Sequence, residues 1–221
     1  MKKTMLALLL LLVAGLQSVM AQKHKWVDLG LPSGTFWATC NVGANSPEEY
    51  GDYFAWGETT PKSTYDWSAY KFCNGSQDLI TKYCSESDYG DDGFTDKLTK
   101  LLPEDDAATV NWGSEWQTPS NEQYQELINR NYTTTTWTTQ NGVYGRKITS
   151  KSNGNSIFLP AAGCYYDVGL YFVGIYGFYW SRSLEKSFCI YSNYLYFYSD
   201  YAYTHSYRRN NGLPVRPVRK K

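Results

Sequence analysis

Few residues in this chain could do covalent or acid–base chemistry together. It has two histidines, His24 and His205, so a Cys/His or Ser/His nucleophile pair would have to recruit one of them. No His-x-x-x-His, Cys-x-x-Cys, Gly-x-Ser-x-Gly or phosphate-loop element occurs. Carboxylates cluster in Glu86, Asp88, Asp91, Asp92 and Asp96, and again in Glu104, Asp105 and Asp106. Taking Asp88 as the first ligand of a calcium loop places Asp92 and Gly93 correctly, but Gly90 and Thr99 fail the third and twelfth positions. These clusters therefore read as an acidic surface loop and as helix N-terminal charge. No enzyme activity, catalytic metal or cofactor is expected, and a structural calcium ion is the one exception left open.

The five cysteines are Cys40, Cys73, Cys84, Cys164 and Cys189. An odd number leaves at least one without an intramolecular partner. The short separation of Cys73 and Cys84 makes that pair the candidate disulfide, and five free thiols remain the alternative.

The more informative chemistry is that of recognition. Of 21 tyrosines, twelve fall within residues 165–207. In Tyr194-Leu195-Tyr196-Phe197-Tyr198 the alternation has period two, so Leu195 and Phe197 point to one face and the three tyrosines to the other. Burial of the Leu195 face leaves a row of phenols, which combine a large apolar ring, few rotatable bonds and a polar tip. The candidate contact residues are Tyr166, Tyr171, Phe172, Tyr176, Phe178, Tyr191, Tyr194, Tyr196, Tyr198, Tyr201, Tyr203, His205 and Tyr207, with Asp167 and Arg182 as charge selectors. The alternative is a sheet covered on both sides, in which these rings are core.

The elements that must position such a surface are short. Ser120 with Gln123 forms a capping-box pattern ahead of Tyr124, Leu127 and Ile128, which predicts one helix. Pro103 followed by Glu104, Asp105 and Asp106 predicts a second short one. A hairpin is predicted with arms Arg146-Lys147-Ile148-Thr149 and Ser156-Ile157-Phe158-Leu159, joined through Ser152-Asn153-Gly154-Asn155. Residues 213–219 read as an edge strand because they hold Pro214 and Pro217. The expected class is α+β, one domain over residues 22–221 with short antiparallel sheets and two helices.

Residues 1–21 read as a cleavable export signal: Lys2 and Lys3, an apolar run over residues 5–16, then Val19-Met20-Ala21. The run is too short to span a bilayer, and no cysteine follows Ala21, which disfavours a lipid anchor. A periplasmic, cell-surface or extracellular location with no transmembrane segment is expected. The whole chain is neutral, which excludes nucleic-acid binding by bulk charge. Residues 164–221 carry eight basic and three acidic side chains, and this basic end reads as a solvated tail.

Several ordered motifs carry a family resemblance. Trp26-Val27-Asp28-Leu29-Gly30-Leu31-Pro32-Ser33-Gly34-Thr35-Phe36-Trp37-Ala38 is followed by Tyr53-Phe54-Ala55-Trp56-Gly57-Glu58-Thr59 and Gly113-Ser114-Glu115-Trp116-Gln117-Thr118-Pro119. Phe158-Leu159-Pro160-Ala161-Ala162-Gly163, Tyr179-Trp180-Ser181 and Val215-Arg216-Pro217-Val218 complete the series. Together these resemble the Fibrobacter succinogenes major paralogous domain (FISUMP) family, abundant in Bacteroidetes. The resemblance implies a C-type-lectin-like fold in the branch of the formylglycine-generating enzymes, with the two termini as neighbouring strands. The calcium-lectin sugar motifs Glu-Pro-Asn and Trp-Asn-Asp are absent. Cys164 and Cys189 occur where the generating enzymes hold a reactive pair, but their surroundings do not match.

The tail is further similar to variable proteins of diversity-generating retroelements, in which adenine mutagenesis turns AAY codons into NNY. NNY codons never encode Trp, Gln, Met, Lys or Glu. Residues 164–211 contain only Trp180, Glu185 and Lys186 of these types, where about ten are expected at the upstream rate. On this view Cys164 and Cys189 are chance outcomes. The expected function is an exported module that binds a protein or glycan at a cell surface through a Tyr-rich face. A structural or adhesin component of the cell envelope is the alternative, and a formylglycine-generating-type enzyme is a third.

Overall fold

The computed structural model describes residues 24–220; the export signal read at residues 1–21 lies outside them. Helix signals in this chain start elements but do not sustain them. Asp106 caps α1 (Ala107–Trp112) by accepting from the backbone N–H groups of Ala108 and Thr109, and Gly113 at φ 97° ends it after six residues. Ser120 and Gln123 form the full capping box ahead of α2 (Asn121–Leu127), worth about 1 kcal/mol. This helix buries Tyr124 and Leu127 and stops after seven residues.

Strands account for most of the ordered backbone. They are β1 (Trp26–Asp28), β2 (Thr35–Ala38), β3 (Tyr53–Phe54), β4 (Trp116–Gln117), β5 (Thr133–Gln140), β6 (Val143–Ser150) and β7 (Ser156–Pro160). In the C-terminal part follow β8 (Cys164–Tyr166), β9 (Gly169–Tyr171), β10 (Gly177–Leu184), β11 (Tyr191–Phe197), β12 (Ala202–Arg208), β13 (Leu213–Pro214) and β14 (Val218–Lys220). The expected α+β class is thus corrected. Among the described residues the architecture is mainly antiparallel β, with two helices of six and seven residues.

The sheets are small: β1-β2-β14-β4, β5-β6-β7, β10-β11-β12, and the pairs β13-β3 and β8-β9. The predicted hairpin is present as β6 and β7, with Gly154 at φ 76° in its turn. The C-terminal segment is not one edge strand. It breaks at residues 215–217, so Pro214 stays in the two-stranded pair and Pro217 lies between strands. Freed of proline, β14 pairs with β2 on one side and β4 on the other.

The three-stranded sheet β10-β11-β12 divides the interior. One face sends Tyr179, Leu195 and Phe197 into a core with Tyr124, Ile148, Ile157 and Leu159. The other sends Phe178, Trp180 and Tyr194 into a larger core with Trp56, Tyr83 and Leu213. The indole of Trp180 donates to the Phe54 carbonyl at 2.8 Å, and that of Trp56 to the Ser181 carbonyl at 2.8 Å, which locks β10 to the scaffold.

Two arginines of the basic end are core rather than tail. The Arg209 guanidinium donates to the carbonyls of Lys82, Tyr83 and Cys189 and to the Tyr70 hydroxyl. The rings of Trp56 and Tyr70 lie 5.0 and 5.2 Å from it. Arg216 donates to Asn41 and to the carbonyls of Ala38, Thr39 and Phe158. Both are fully buried. The tail reading fails because carbonyl dipoles from separate segments converge on each cation, which satisfies its donors without a carboxylate.

The disulfide also differs from expectation. Cys84 pairs with Cys189, 105 residues away, and Cys73 is free and buried. The Cys73 thiol is directed at the carbonyl of Trp67, 3.0 Å away. Cys189 is therefore a framework residue, which removes it from the positions left to chance.

Candidate functional site

The alternation in β11 orients the site as the sequence predicts. Tyr194, Tyr196 and Tyr198 share the face opposite Leu195 and Phe197, and the ladder fixes their neighbours. Phe178 pairs with Tyr196 and Trp180 with Tyr194 across β10. Tyr203 pairs with Tyr196 and His205 with Tyr194 across β12. Cross-strand aromatic pairs of this kind add to sheet stability as well as to surface.

Ring contacts run without a break from Tyr171 to His205. Tyr171 meets Phe172 at 6.1 Å, Phe172 meets Tyr176 at 5.3 Å, and Tyr176 meets Tyr196 at 5.6 Å. Tyr196 then meets Tyr203 at 5.1 Å, and Tyr203 meets His205 at 6.2 Å. Tyr198 joins through Tyr196 at 5.8 Å and carries on to Tyr201 at 5.7 Å.

Burial grades this face from inside to outside. Phe178 and Tyr194 are each only 6% exposed, so these two members of the predicted site belong to the core beneath the surface. Tyr207 packs on Tyr194 at 5.5 Å; burial and the Cys164 thiol beside its hydroxyl push its pKa up to about 12. Tyr196 is half-buried, and burial followed by neighbouring phenols raises it to about 12 as well. Tyr196 and Tyr207 are therefore neutral at physiological pH and can both donate and accept a hydrogen bond. Tyr166, Tyr171, Phe172, Tyr201, Tyr203 and His205 are exposed.

Three predicted residues, Arg182, Tyr191 and Asp167, stand elsewhere or in other roles. Arg182 donates to Gln117 and to the Leu101 carbonyl, so its charge serves the scaffold and not a ligand. Tyr191 begins β11 beside Phe188, 6.5 Å away, apart from the main ring chain. Asp167 is exposed in the β8–β9 turn at φ 54°, and its backbone exchanges hydrogen bonds with Tyr65. Cys164, in β8, is buried; desolvation pushes its thiol up to about 11, well away from a reactive thiolate. Glu86, Asp88, Asp91, Asp92 and Asp96 do not converge into a metal-holding group among the described residues. The Asp96 carboxylate instead accepts from the backbone of Tyr83, Cys84 and Leu98.

The reading from tyrosines missed aliphatic partners. Val168, Leu170, Val173 and Ile175 are exposed on and just after the β8–β9 hairpin, Val168 by 69%. The signal was available: Val168, Leu170, Val173 and Ile175 lie within eight residues of one another, and a hairpin this short has no second layer of its own to cover them. Gly163, at φ 66°, lets the returning strand pass close, since a side chain there would meet the Tyr171 carbonyl. Phe172 takes a left-handed backbone at φ 65°, a conformation that costs a bulky residue about 1–2 kcal/mol. Its carbonyl accepts from Ile175 and Tyr176, which holds the turn, while its ring remains half-exposed. Retained strain of this kind, here at a ring left half-exposed, clusters at functional sites.

Among the described residues no helix is long and apolar enough to cross a membrane. A family model described as a domain of unknown function (DUF8237) matches residues 137–218. That is less than half of the chain, yet it takes in β6 to β13 and the whole aromatic face. No curated protein and no solved structure matches the chain.

Proposed function

We propose that the chain is an exported binding module that captures a protein partner on its aromatic face. One observation carries this reading: large apolar side chains remain exposed along a continuous surface, from Val168, Tyr171, Phe172 and Ile175 to Tyr201 and Tyr203. Monomeric proteins seldom leave apolar groups gathered in this way unless the patch is used. Aromatic rings with neutral phenol tips suit the centre of a protein interface, where burial supplies affinity and hydroxyls pair stray polar groups. The exposed aliphatic groups favour a protein over a glycan for this face, because sugars gain little from them. Export rests on the pattern of residues 1–21, and kinship with the FISUMP family on the ordered motifs.

The test is to probe an array of extracellular and surface proteins with the purified mature chain and with a Phe172→Ser/Tyr201→Ser/Tyr203→Ser variant. A partner held by the native chain and lost by the variant, with Tm shifted by less than about 2 °C, is expected. A partner bound equally by both overturns the reading. Concentration-dependent polymers in size-exclusion chromatography would instead favour an envelope-assembly role.

Retroelement diversification of residues 164–211 remains part of the proposal in a narrower form. Tyr166, Tyr171, Phe172, Tyr201, Tyr203 and His205 are exposed and can vary without loss of fold, whereas Cys189, Arg209, Asn210 and Asn211 are buried. NNY codons at the exposed positions, with an adenine-rich template nearby, are the expected finding in the coding DNA.

A further inference from the structure

We infer that the chain carries a second ligand site, a cleft for a neutral sugar ring, between the β5–β6 hairpin and the border of the aromatic face. It does not rest on the protein-binding role of that face. The cleft is open to solvent and offers about 340 Å³, within the range of small-ligand sites and enough for one or two pyranose rings. One wall is Trp137 and Tyr144, whose rings lie 6.0 Å apart and within 13° of parallel. They are diagonal neighbours in the β5–β6 ladder, where Trp137 pairs with Arg146 and Thr139 with Tyr144, so the pleat sets their alignment. Facing them are Tyr176 and Tyr198, 6.0 Å apart and near-perpendicular, with Ile175 and Ser199 completing the lining.

Arg146 fastens the two walls together. Its guanidinium donates to Thr135 on β5 and, from the other side, to the carbonyls of Tyr198 and Ser199. The site is therefore organised before any ligand arrives, which lowers the cost of binding.

The lining selects the ligand class. None of its side chains is charged, so the lining offers no ion-pair partner to an anion or a cation. The near-parallel rings of Trp137 and Tyr144 present a flat aromatic face against which the C–H face of a pyranose can lie. The lining carries the hydroxyls of Tyr144, Tyr176 and Tyr198, each able to donate and accept, and that of Ser199, which donates to the Asp200 carboxylate and is left to accept. Sugar hydroxyls have the same dual character. A proline-rich peptide is also flat and neutral, but it presents only carbonyl acceptors and leaves half of that capacity unused.

The experiment titrates the mature chain with neutral tetrasaccharides of glucose, mannose, galactose and xylose, and separately with decaproline. The readouts are calorimetry and the Trp137 indole N–H resonance. At least one tetrasaccharide is expected to bind below about 10 mM and to move the Trp137 resonance. Tyr144→Ala, at an exposed position, is expected to weaken that binding at least about tenfold; Trp137→Phe should keep the fold and weaken it less. Tyr203→Ser, on the protein-binding face, should leave it unchanged. No binding by any tetrasaccharide, binding untouched by Tyr144→Ala, or binding of decaproline alone would each overturn the assignment.

Discussion

The two faces of the β10-β11-β12 sheet are built from the same strands and almost the same residue types, yet they do different work. On one, Leu195, Phe197 and Tyr179 are fully buried against β6, β7 and α2. On the other, aromatic rings begin as core at Phe178 and Tyr194 and end as open surface at Tyr203 and His205. Aromatic content therefore does not decide what is core. The covering layer does: one face is roofed along its length, whereas the other is roofed only at the end beside Trp180 and Leu213.

A graded series of substitutions can break this contrast. Phe197→Ala should cost the most, about 3–5 kcal/mol in urea unfolding, because it empties a closed site. Tyr194→Ala should cost about 2 kcal/mol, since its ring is buried but its neighbours on the open side can close in. Equal losses would mean that both faces are equally closed.

Alkaline titration sharpens the same gradient. Tyr196 and Tyr207 are raised to about 12, chiefly by burial. A raised folded pKa means that the neutral phenol is favoured in the fold. Their stabilising contribution is therefore complete below the unfolded value near 10, and is lost as pH climbs from about 10 through 12. Stability followed by circular dichroism over that range should fall, with phenolate absorbance appearing together with unfolding for the inner rings. Absorbance that rises well before unfolding would put those rings in contact with water. Smallest of all, Tyr203→Ser should change unfolding free energy by less than about 0.5 kcal/mol; a larger loss would make the outer ring structural.

What the sequence disclosed follows a physical division. The α2 capping box, the β6–β7 hairpin and the period-two pattern in β11 depend on neighbours within a few residues, and each is present where the pattern put it. The Cys84–Cys189 disulfide, the carbonyl cages of Arg209 and Arg216 and the insertion of β14 between β2 and β4 join segments far apart in the chain. No local spacing encodes those partners. The candidate site divides in the same way. Which side chains share a face was legible from alternation, whereas which of them lie under others was not, because that depends on packing from β8, β13 and the segment around Trp56. Helix length was not legible for a related reason: capping signals mark where a helix begins, while its length is set by what its buried stripe can pack against.

The position of β14 bears on when this protein can fold. Although it follows every other described strand in sequence, β14 is an interior member of its sheet, with Val218 opposite Trp37 on one side and Gln117 on the other. During synthesis the sheet has a gap between β2 and β4 until residues 218–220 emerge. Closing that gap joins segments about 180 residues apart, a step that is entropically costly and slow, so this sheet is assembled late.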